Sequence, residues 1–330
     1  MLKLSDFDYT LPKGLIAQYP LKKRDMARLL VLDRKTKEIK HRIFKDLTDY
    51  LAREDLLVLN NTKVLPARLF GKRKSGGKVE ILLLRRKEGF LFDALLKPAR
   101  LKLNEKIIFD DHKFSATVTA KNEVSFFASD IDEIYKHGSM PLPPYIKRDV
   151  QLSDFGDYQT VYAENDGAVA SPTAGLHFTQ ELLGRIHSAG VNAAYITLHV
   201  GFATFRPVKS VDITQHKMEE EYFSIGQEAT GLINQTRNKG RRILAVGTTS
   251  CRSLETYATG KSQGHTNLFI YPGYKFKMTD CLLTNFHLPR TTLFMLVCAF
   301  AGTDLMKKAY QEAIDKEYRF YSYGDAMLII

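Results

Sequence analysis

Tryptophan is absent from this 330-residue chain, and cysteine occurs only three times, at Cys251, Cys281 and Cys298. Three thiols cannot all pair, and no two stand at C-x-x-C spacing, so neither a disulfide framework nor a zinc knuckle fits. Long apolar runs are missing too. The longest, residues 293–301, is nine residues, whereas a membrane span needs about 20. Met1-Leu2-Lys3-Leu4-Ser5-Asp6-Phe7-Asp8 carries acids and no apolar stretch, so no secretory signal is legible and a cytoplasmic protein is expected. Neither G-x-x-x-x-G-K-[ST] nor G-x-G-x-x-G occurs, which removes support from P-loop enzymes, kinases and the dinucleotide fingerprint. With 44% hydrophobic and 26% charged residues, disorder and fibrous repeats are excluded.

What is present is positive charge, unevenly placed. The net charge is +11; residues 1–110 hold 26 Lys+Arg against 14 Asp+Glu, and residues 111–330 hold 22 against 23. A one-sided basic region is what a polyanion-binding surface requires, because phosphate contacts release counterions. Solubility is the plainer use of the same charge.

Length favours two domains. Residues 28–33 and 38–44, around a polar turn, read as a hairpin; 46–52 reads as a brief amphipathic helix and 55–60 as a buried strand. From 67 to 129 about six short apolar runs alternate with Gly, Asn, Asp and Lys turns, the pattern of a small antiparallel barrel. Pro141-Leu142-Pro143-Pro144 reads as a stiff linker out of it. Beyond 155, helices at 180–188, 227–239, 250–257, 292–301 and 304–316 alternate with strands at 191–200, 241–246 and 267–271. The expected fold is therefore α/β: a layered αβα domain, residues 1–62 and 151–330, with a small antiparallel β-barrel, residues 63–150, inserted into it.

Several polar stretches stand at strand ends, where α/β sheets bind ligands. Leu59-Asn60-Asn61-Thr62-Lys63-Val64 offers two carboxamides suited to a nucleobase edge; an Asx turn uses the same residues. Ser171-Pro172-Thr173-Ala174-Gly175-Leu176-His177-Phe178-Thr179 runs into a helix whose amides suit an anion, and His177 can move a proton; a capped helix start is the plainer reading. Thr197-Leu198-His199-Val200-Gly201-Phe202-Ala203-Thr204-Phe205 brings His199 to a strand end, with phenylalanines that stack on a base or pack in the core. His216-Lys217-Met218-Glu219-Glu220-Glu221 is a general base, a cation grip or a solvated turn. Val246-Gly247-Thr248-Thr249-Ser250-Cys251-Arg252 resembles a phosphate or carboxylate seat, with Arg252 on the first helical turn. The loops Tyr271-Pro272-Gly273-Tyr274 and Thr284-Asn285-Phe286-His287-Leu288-Pro289 wall an adenine or pack. His177, His199, His216 and His287 lack H-x-H or H-E-x-x-H spacing, so no metal site is expected.

The ordered set of motifs resembles the S-adenosylmethionine:tRNA ribosyltransferase-isomerases of the queuosine pathway over nearly the whole chain. It includes Leu15-Ile16-Ala17-Gln18-Tyr19-Pro20, Asn60 to Val64, Pro66-Ala67-Arg68-Leu69, Gly77-Lys78-Val79-Glu80-Ile81 and Pro141 to Ile146. Pro172 to Phe178, Leu198 to Gly201, Val246 to Ser250, Tyr271 to Tyr274, Thr284 to Pro289 and Ser322 to Met327 complete it. Four positions depart from the family pattern: Ser171 for alanine, Ala203 for glycine, Glu219 for histidine and Cys251 for valine. The resemblance implies an αβα domain with an inserted barrel. It also implies transfer and isomerisation of the ribosyl part of S-adenosylmethionine onto 7-aminomethyl-7-deazaguanine at the tRNA wobble position. Epoxyqueuosine forms, adenine and methionine leave, and S-adenosylmethionine is consumed as a substrate, so no cofactor is expected. It further suggests His177, His199 and Glu221 as catalytic residues, and Asn60 and Asn61 for the 7-deazaguanine or ribose. Thr248, Thr249 and Arg252 would take the methionine carboxylate, and Tyr271 and Phe286 would flank adenine. Thr173, Gly175, Thr197, Gly201, Thr204, Asn285 and His287 would complete the substrate site. Lys63, Arg68, Lys72, Arg73 and Lys74 would hold RNA. A monomer is expected. A metal-dependent hydrolase and a non-catalytic RNA-binding module are the competing readings.

Overall fold

The computed structural model describes residues 2–109, 114–201 and 208–330. The chain opens with a hairpin, β1 (Arg28–Leu32) and β2 (Ile39–Ile43), paired antiparallel with Leu30 opposite His41. The segment expected as an amphipathic helix is instead a 3-10 turn, Phe44–Tyr50, which buries Phe44 and Leu47. Seven residues with two apolar anchors cannot offset the cost of nucleating an α-helix. Strand β3 (Leu56–Asn60) then enters the large sheet, and β4 (Thr62–Val64) leaves it at once.

Six strands follow: β5 (Arg68–Arg73), β6 (Lys78–Arg86), β7 (Leu91–Lys97), β8 (Lys106–Ile108), β9 (Ser115–Ala120) and β10 (Glu123–Phe127). They close into a barrel in the order β10-β7-β6-β5-β8-β9. Alternate residues, among them Leu69, Ile81, Phe92, Ala116 and Val124, fill its interior. Gly71 is required there, since a Cβ would stand 2.6 Å from the Ile107 side chain. The short helices α1 (Ile131–Lys136) and α2 (Asp154–Asp157) lead out, and β11 (Asn165–Ala168) pairs in parallel with β4.

The remainder is α/β: α3 (Gln180–Ser188), β12 (Asn192–Leu198), β13 (Glu221–Ser224), α4 (Gln227–Asn238), β14 (Ile243–Val246) and α5 (Gly247–Tyr257). Then come β15 (Gln263–Thr266), β16 (Cys281–Asn285), α6 (Thr292–Ala301), α7 (Thr303–Asp315) and β17 (Ala326–Ile329). The nine-stranded sheet runs β15-β13-β12-β3-β14-β16-β17-β1-β2, and its centre, β12-β3-β14-β16, is parallel. On β3, Leu56 and Val58 face α4 to α7, while Leu57 and Leu59 face α3 and the 3-10 turn. Two apolar faces on one strand demand helices on both sides, giving three layers. Residues 267–271, expected as a strand, are not one; β15 precedes them. β13, β16 and β17 escaped the sequence reading: β16 and β17 are fully buried and have no alternation to detect, and the alternation of β13 spans only four residues.

One buried carboxylate fixes the approach to β16. Glu255 of α5 accepts from the backbone N–H of Lys277 (2.8 Å), Met278 (3.0 Å) and Thr279 (2.9 Å) and from the Tyr274 hydroxyl (3.2 Å). Glu255→Ala would strand those donors and is expected to lower the unfolding free energy by about 3 kcal/mol in urea titration; an unchanged midpoint would show the loop is held by other means.

Candidate active site

The four central parallel strands all end on one edge: β3 at Asn60, β12 at Leu198, β14 at Val246 and β16 at Asn285. Two cavities lie there. The smaller, about 50 Å³, is lined by Ser171, Thr173, Thr248, Thr249, Asn285, His287 and Tyr321 among others. The larger, about 480 Å³, has His199, Gly201, Glu221 and Tyr222 on the sheet side and Arg85, Arg86 and Tyr135 on the barrel side. Val200 lines both, so they adjoin.

Asn60 does not face a ligand. Its Nδ2 donates to the Leu198 carbonyl (2.9 Å) and to Thr249 Oγ1 (3.2 Å), and its Oδ1 accepts from the N–H of Thr62 (3.1 Å) and Leu198 (3.0 Å). A carboxamide has two N–H donors and two lone pairs, and all four are engaged, so the expected nucleobase contact is corrected to a structural clamp. Asn61 is likewise locked: it donates to Glu164 (3.0 Å) and accepts from Thr197 Oγ1 (2.8 Å), which in turn accepts from Asn165 (2.9 Å). Neither Asn61 nor Thr197 lines a cavity.

His199 follows β12 directly and lines the larger cavity. Thr62 Oγ1 holds its Nδ1 at 2.8 Å, and Tyr222 lies nearly parallel at 5.7 Å between ring centroids. Gly167 lets the ring lie where it does, since a Cβ there would stand 2.8 Å from Cε1 and Nε2. Burial draws the imidazole pKa below its ordinary value, with Asp166 acting the other way. The ring is therefore neutral near pH 7 and able to take a proton.

Glu221, the first residue of β13, accepts from Gly201 N–H (2.9 Å) and forms a buried ion pair with Arg252. Because α5 begins at Gly247, Arg252 stands on the second turn, not the first. It reaches Glu221 and the Leu268 carbonyl (3.0 Å) rather than joining Thr248 and Thr249, which correct their expected partnership.

In the smaller cavity, Asn285 accepts from Thr173 Oγ1 (2.8 Å), and its Nδ2 meets His177 Nε2 at 3.1 Å. His177 itself lies behind, against Phe44 (centroids 4.9 Å apart), in a separate cleft with Arg24 and Tyr323. Burial lowers the His177 pKa to about 4 and the His287 pKa to about 3. His287 Nε2 is 2.9 Å from Thr284 Oγ1. Two further expectations are corrected. Phe286 is fully buried among Tyr310, Tyr318 and Phe320, so it cannot flank adenine. Gly175 serves packing, for a Cβ would lie 2.1 Å from the Tyr162 hydroxyl oxygen. Tyr271 packs on Phe269 and lines neither cavity. Thr204, with Phe202, Ala203 and Phe205, lies outside the described residues.

The basic residues divide. Lys72 and Lys74 are exposed at one end of β5, and Lys63 is exposed beside Asp166 at 3.2 Å. Arg68 donates to the Leu142 carbonyl (3.0 Å), and Arg73 pairs with Glu105 at 3.5 Å, so both are tied to the barrel. Arg85, Arg86 and Tyr135 were missed. Nothing local in a barrel strand or a short helix marks which end will meet another layer. Among the described residues no three His, Cys, Asp or Glu side chains gather as a metal site. No helix there is long and apolar enough to cross a membrane.

Comparison with known proteins decides the family. Residues 4–329 match the model of the family described as "Queuosine biosynthesis protein". The chain belongs to this family. Among its curated members, S-adenosylmethionine:tRNA ribosyltransferase-isomerases, the protein from Sulfurihydrogenibium sp. (strain YO3AOP1) is 54% identical and that from Caldanaerobacter subterraneus 51% identical; each covers 100% of both chains. The crystal structure of S-adenosylmethionine tRNA ribosyltransferase from Thermotoga maritima is 39% identical, with a TM-score of 0.58, over 98% of this chain and 100% of that one. The queuosine-family assignment agrees with the αβα-plus-barrel architecture.

The buried neutral histidines make stability fall on the acid side. Their folded pKa values, about 4 for His177 and about 3 for His287, lie below the unfolded value of 6.5. The unfolded chain thus binds more protons below pH 6.5, and the contribution held above that pH drains away toward pH 4. Each ring is expected to cost about 1–2 kcal/mol between pH 7 and pH 5. Urea titrations at the two pH values check this, and His177→Gln should remove one share of the slope.

Proposed function

We propose that this queuosine-family chain transfers and isomerises the ribosyl moiety of S-adenosylmethionine onto 7-aminomethyl-7-deazaguanine at the wobble position of tRNA. Epoxyqueuosine-tRNA forms, and adenine and methionine leave. The observation that carries the reading is the larger cavity, where a neutral histidine and a glutamate paired with Arg252 of α5 face two arginines of the barrel and a tyrosine of α1.

The sulfonium acidifies the adjacent C5′ hydrogen, so a modest base suffices. His199 is that base in this reading, its ring oriented by Thr62 and free of a charge-holding partner at Nδ1 other than a hydroxyl. The RNA amine then forms a C–N bond to a ribosyl carbon, the bond from C1′ to adenine breaks and adenine departs with a proton, and the C5′–S bond breaks to release methionine. Glu221 holds the turn at Gly201 beside the reacting groups. A wobble nucleotide must leave the anticodon stack to reach the cavity, and Lys63, Lys72 and Lys74 on and near the barrel would meet the backbone. In this reading S-adenosylmethionine is spent as a substrate, and no cofactor is invoked.

Adenine release, followed by chromatography, is expected only when S-adenosylmethionine and tRNA bearing the aminomethyl base are both present, and is expected to survive chelation. Salt-sensitive tRNA binding without adenine release would instead favour an RNA-binding module, and loss on chelation with recovery on a transition metal would favour a hydrolase. His199→Ala is expected to lower kcat by about 10²–10⁴-fold with tRNA affinity unchanged; unaltered turnover would remove His199 as the base.

A further inference from the structure

The outer wall of the barrel carries an aromatic ring that the fold does not use. Side chains alternate along β5, so Leu69 and Gly71 point inward while Phe70 and Lys72 point outward. Phe70 is 62% exposed. A phenylalanine on the solvent face of a strand gains nothing from burial, and a lone exposed apolar residue is common enough to need no explanation. What sets Phe70 apart is the charge around it.

Strand register fixes that setting. Phe70 stands opposite Glu80 of β6, and Glu80 stands opposite Lys97 of β7. Two residues further along β5, Lys72 stands opposite Lys78. Neighbouring strands lie about 4.8 Å apart and outward residues of one strand about 7 Å apart, so the Cα atoms of all three lysines lie within about 10 Å of that of Phe70. The three lysines are exposed. Glu80 is the one carboxylate of these five positions, and it is already met by Arg68 at 3.5 Å and Lys97 at 3.3 Å. An open ring among cations suits unpaired nucleic acid, in which a base stacks on the ring and ammonium groups meet the flanking phosphates. A protein partner fits less well, because lysine is depleted from the cores of such interfaces and Phe70 is the one apolar side chain of the five.

The ring also stands close to the reaction space. Ala67, three residues before Phe70, lines the larger cavity, which puts Phe70 about 10 Å further along the barrel wall. That is the reach of a nucleotide or two from one held in the cavity. We propose that Phe70 is a stacking platform for an unpaired anticodon-loop nucleotide flanking the one that reacts, with Lys72, Lys78 and Lys97 holding the backbone beside it. The identity of the RNA rests on the function proposed above; the platform itself rests on exposure, register and charge.

The test titrates the full-length chain into two labelled RNAs, an anticodon stem-loop and a loop-free duplex of the same stem, and follows fluorescence anisotropy. Phe70→Ala is expected to weaken stem-loop binding about tenfold and to leave duplex binding within about twofold. Phe70→Trp should bind the stem-loop at least as tightly as the wild type, whereas Phe70→Leu, apolar but without a ring, should behave like Phe70→Ala. Lys78→Ala should make the slope of log K against log salt shallower by about 0.7, one single-strand phosphate. Unchanged stem-loop binding by Phe70→Ala, full retention by Phe70→Leu, or equal losses on stem-loop and duplex overturns the platform. Self-association of the wild-type chain that Phe70→Ala abolishes overturns it in favour of a protein interface. Adenine release separates this proposal from the functional reading: with aminomethyl-bearing RNA, Phe70→Ala should raise the KM for RNA about tenfold and leave the KM for S-adenosylmethionine unchanged. Ring-dependent binding without any adenine release sinks the catalytic reading and upholds the platform; adenine release with ring-independent binding sinks the platform alone.

Discussion

The site hangs on one saturated carboxamide. Asn60 ends the central strand β3 and, through four hydrogen bonds, ties that end to β12, to the turn at Thr62 and to Thr249 on α5. Each bond is buried, so breaking one leaves a partner unpaired in a low-dielectric interior. The consequence reaches both cavities. Leu198 lies next to His199, and Thr249 lies in the wall of the smaller space, so a single side chain sets the spacing between the proton-accepting ring and the start of α5. Precision of this kind comes from packed strands rather than loops.

The two cavities differ in chemical character, and the division suits a substrate with two unlike ends. One is small, rich in hydroxyls and free of acids. The other is large, carries acids and bases on both walls, and is shared between the sheet and the barrel. The barrel therefore does more than carry charge. It supplies Arg85, Arg86 and Tyr135 to the space in which His199 stands. The excess of positive charge in the first third of the sequence then has two uses: Lys72 and Lys74 are exposed, whereas Arg68 ties the barrel to the segment at Leu142 and Arg73 pairs with Glu105 within it.

Much of this was legible in the linear pattern. The six short runs between residues 67 and 129 do close into a barrel, and the run ending at Asn60 does belong to the α/β sheet. The carboxyl ends of β3, β12, β14 and β16 do share one edge, because parallel strands joined by helices deliver them there, although not every polar motif that follows them reaches a cavity. The misreadings share a cause. Asn60, Asn61, Gly175 and Phe286 are residues whose type suits a ligand, yet each is consumed by a neighbour distant in sequence: Leu198, Glu164, Tyr162 and Tyr318 respectively. A motif reports what a side chain is able to do and carries no record of which partner already occupies it.

By itself, then, the sequence determined the layered domain, the inserted barrel, the asymmetry of charge and the family, since these follow from periodicity, composition and ordered motifs spread over the whole chain. Only the tertiary structure decided which polar groups remain free. Arg252 pairs through Nη1 with a glutamate 31 positions away, while its Nη2 and the Ser171 hydroxyl stay buried without a partner. The reason is physical: hydrogen-bond saturation depends on distances and angles between groups from separate elements, and those are fixed only when the strands and helices pack.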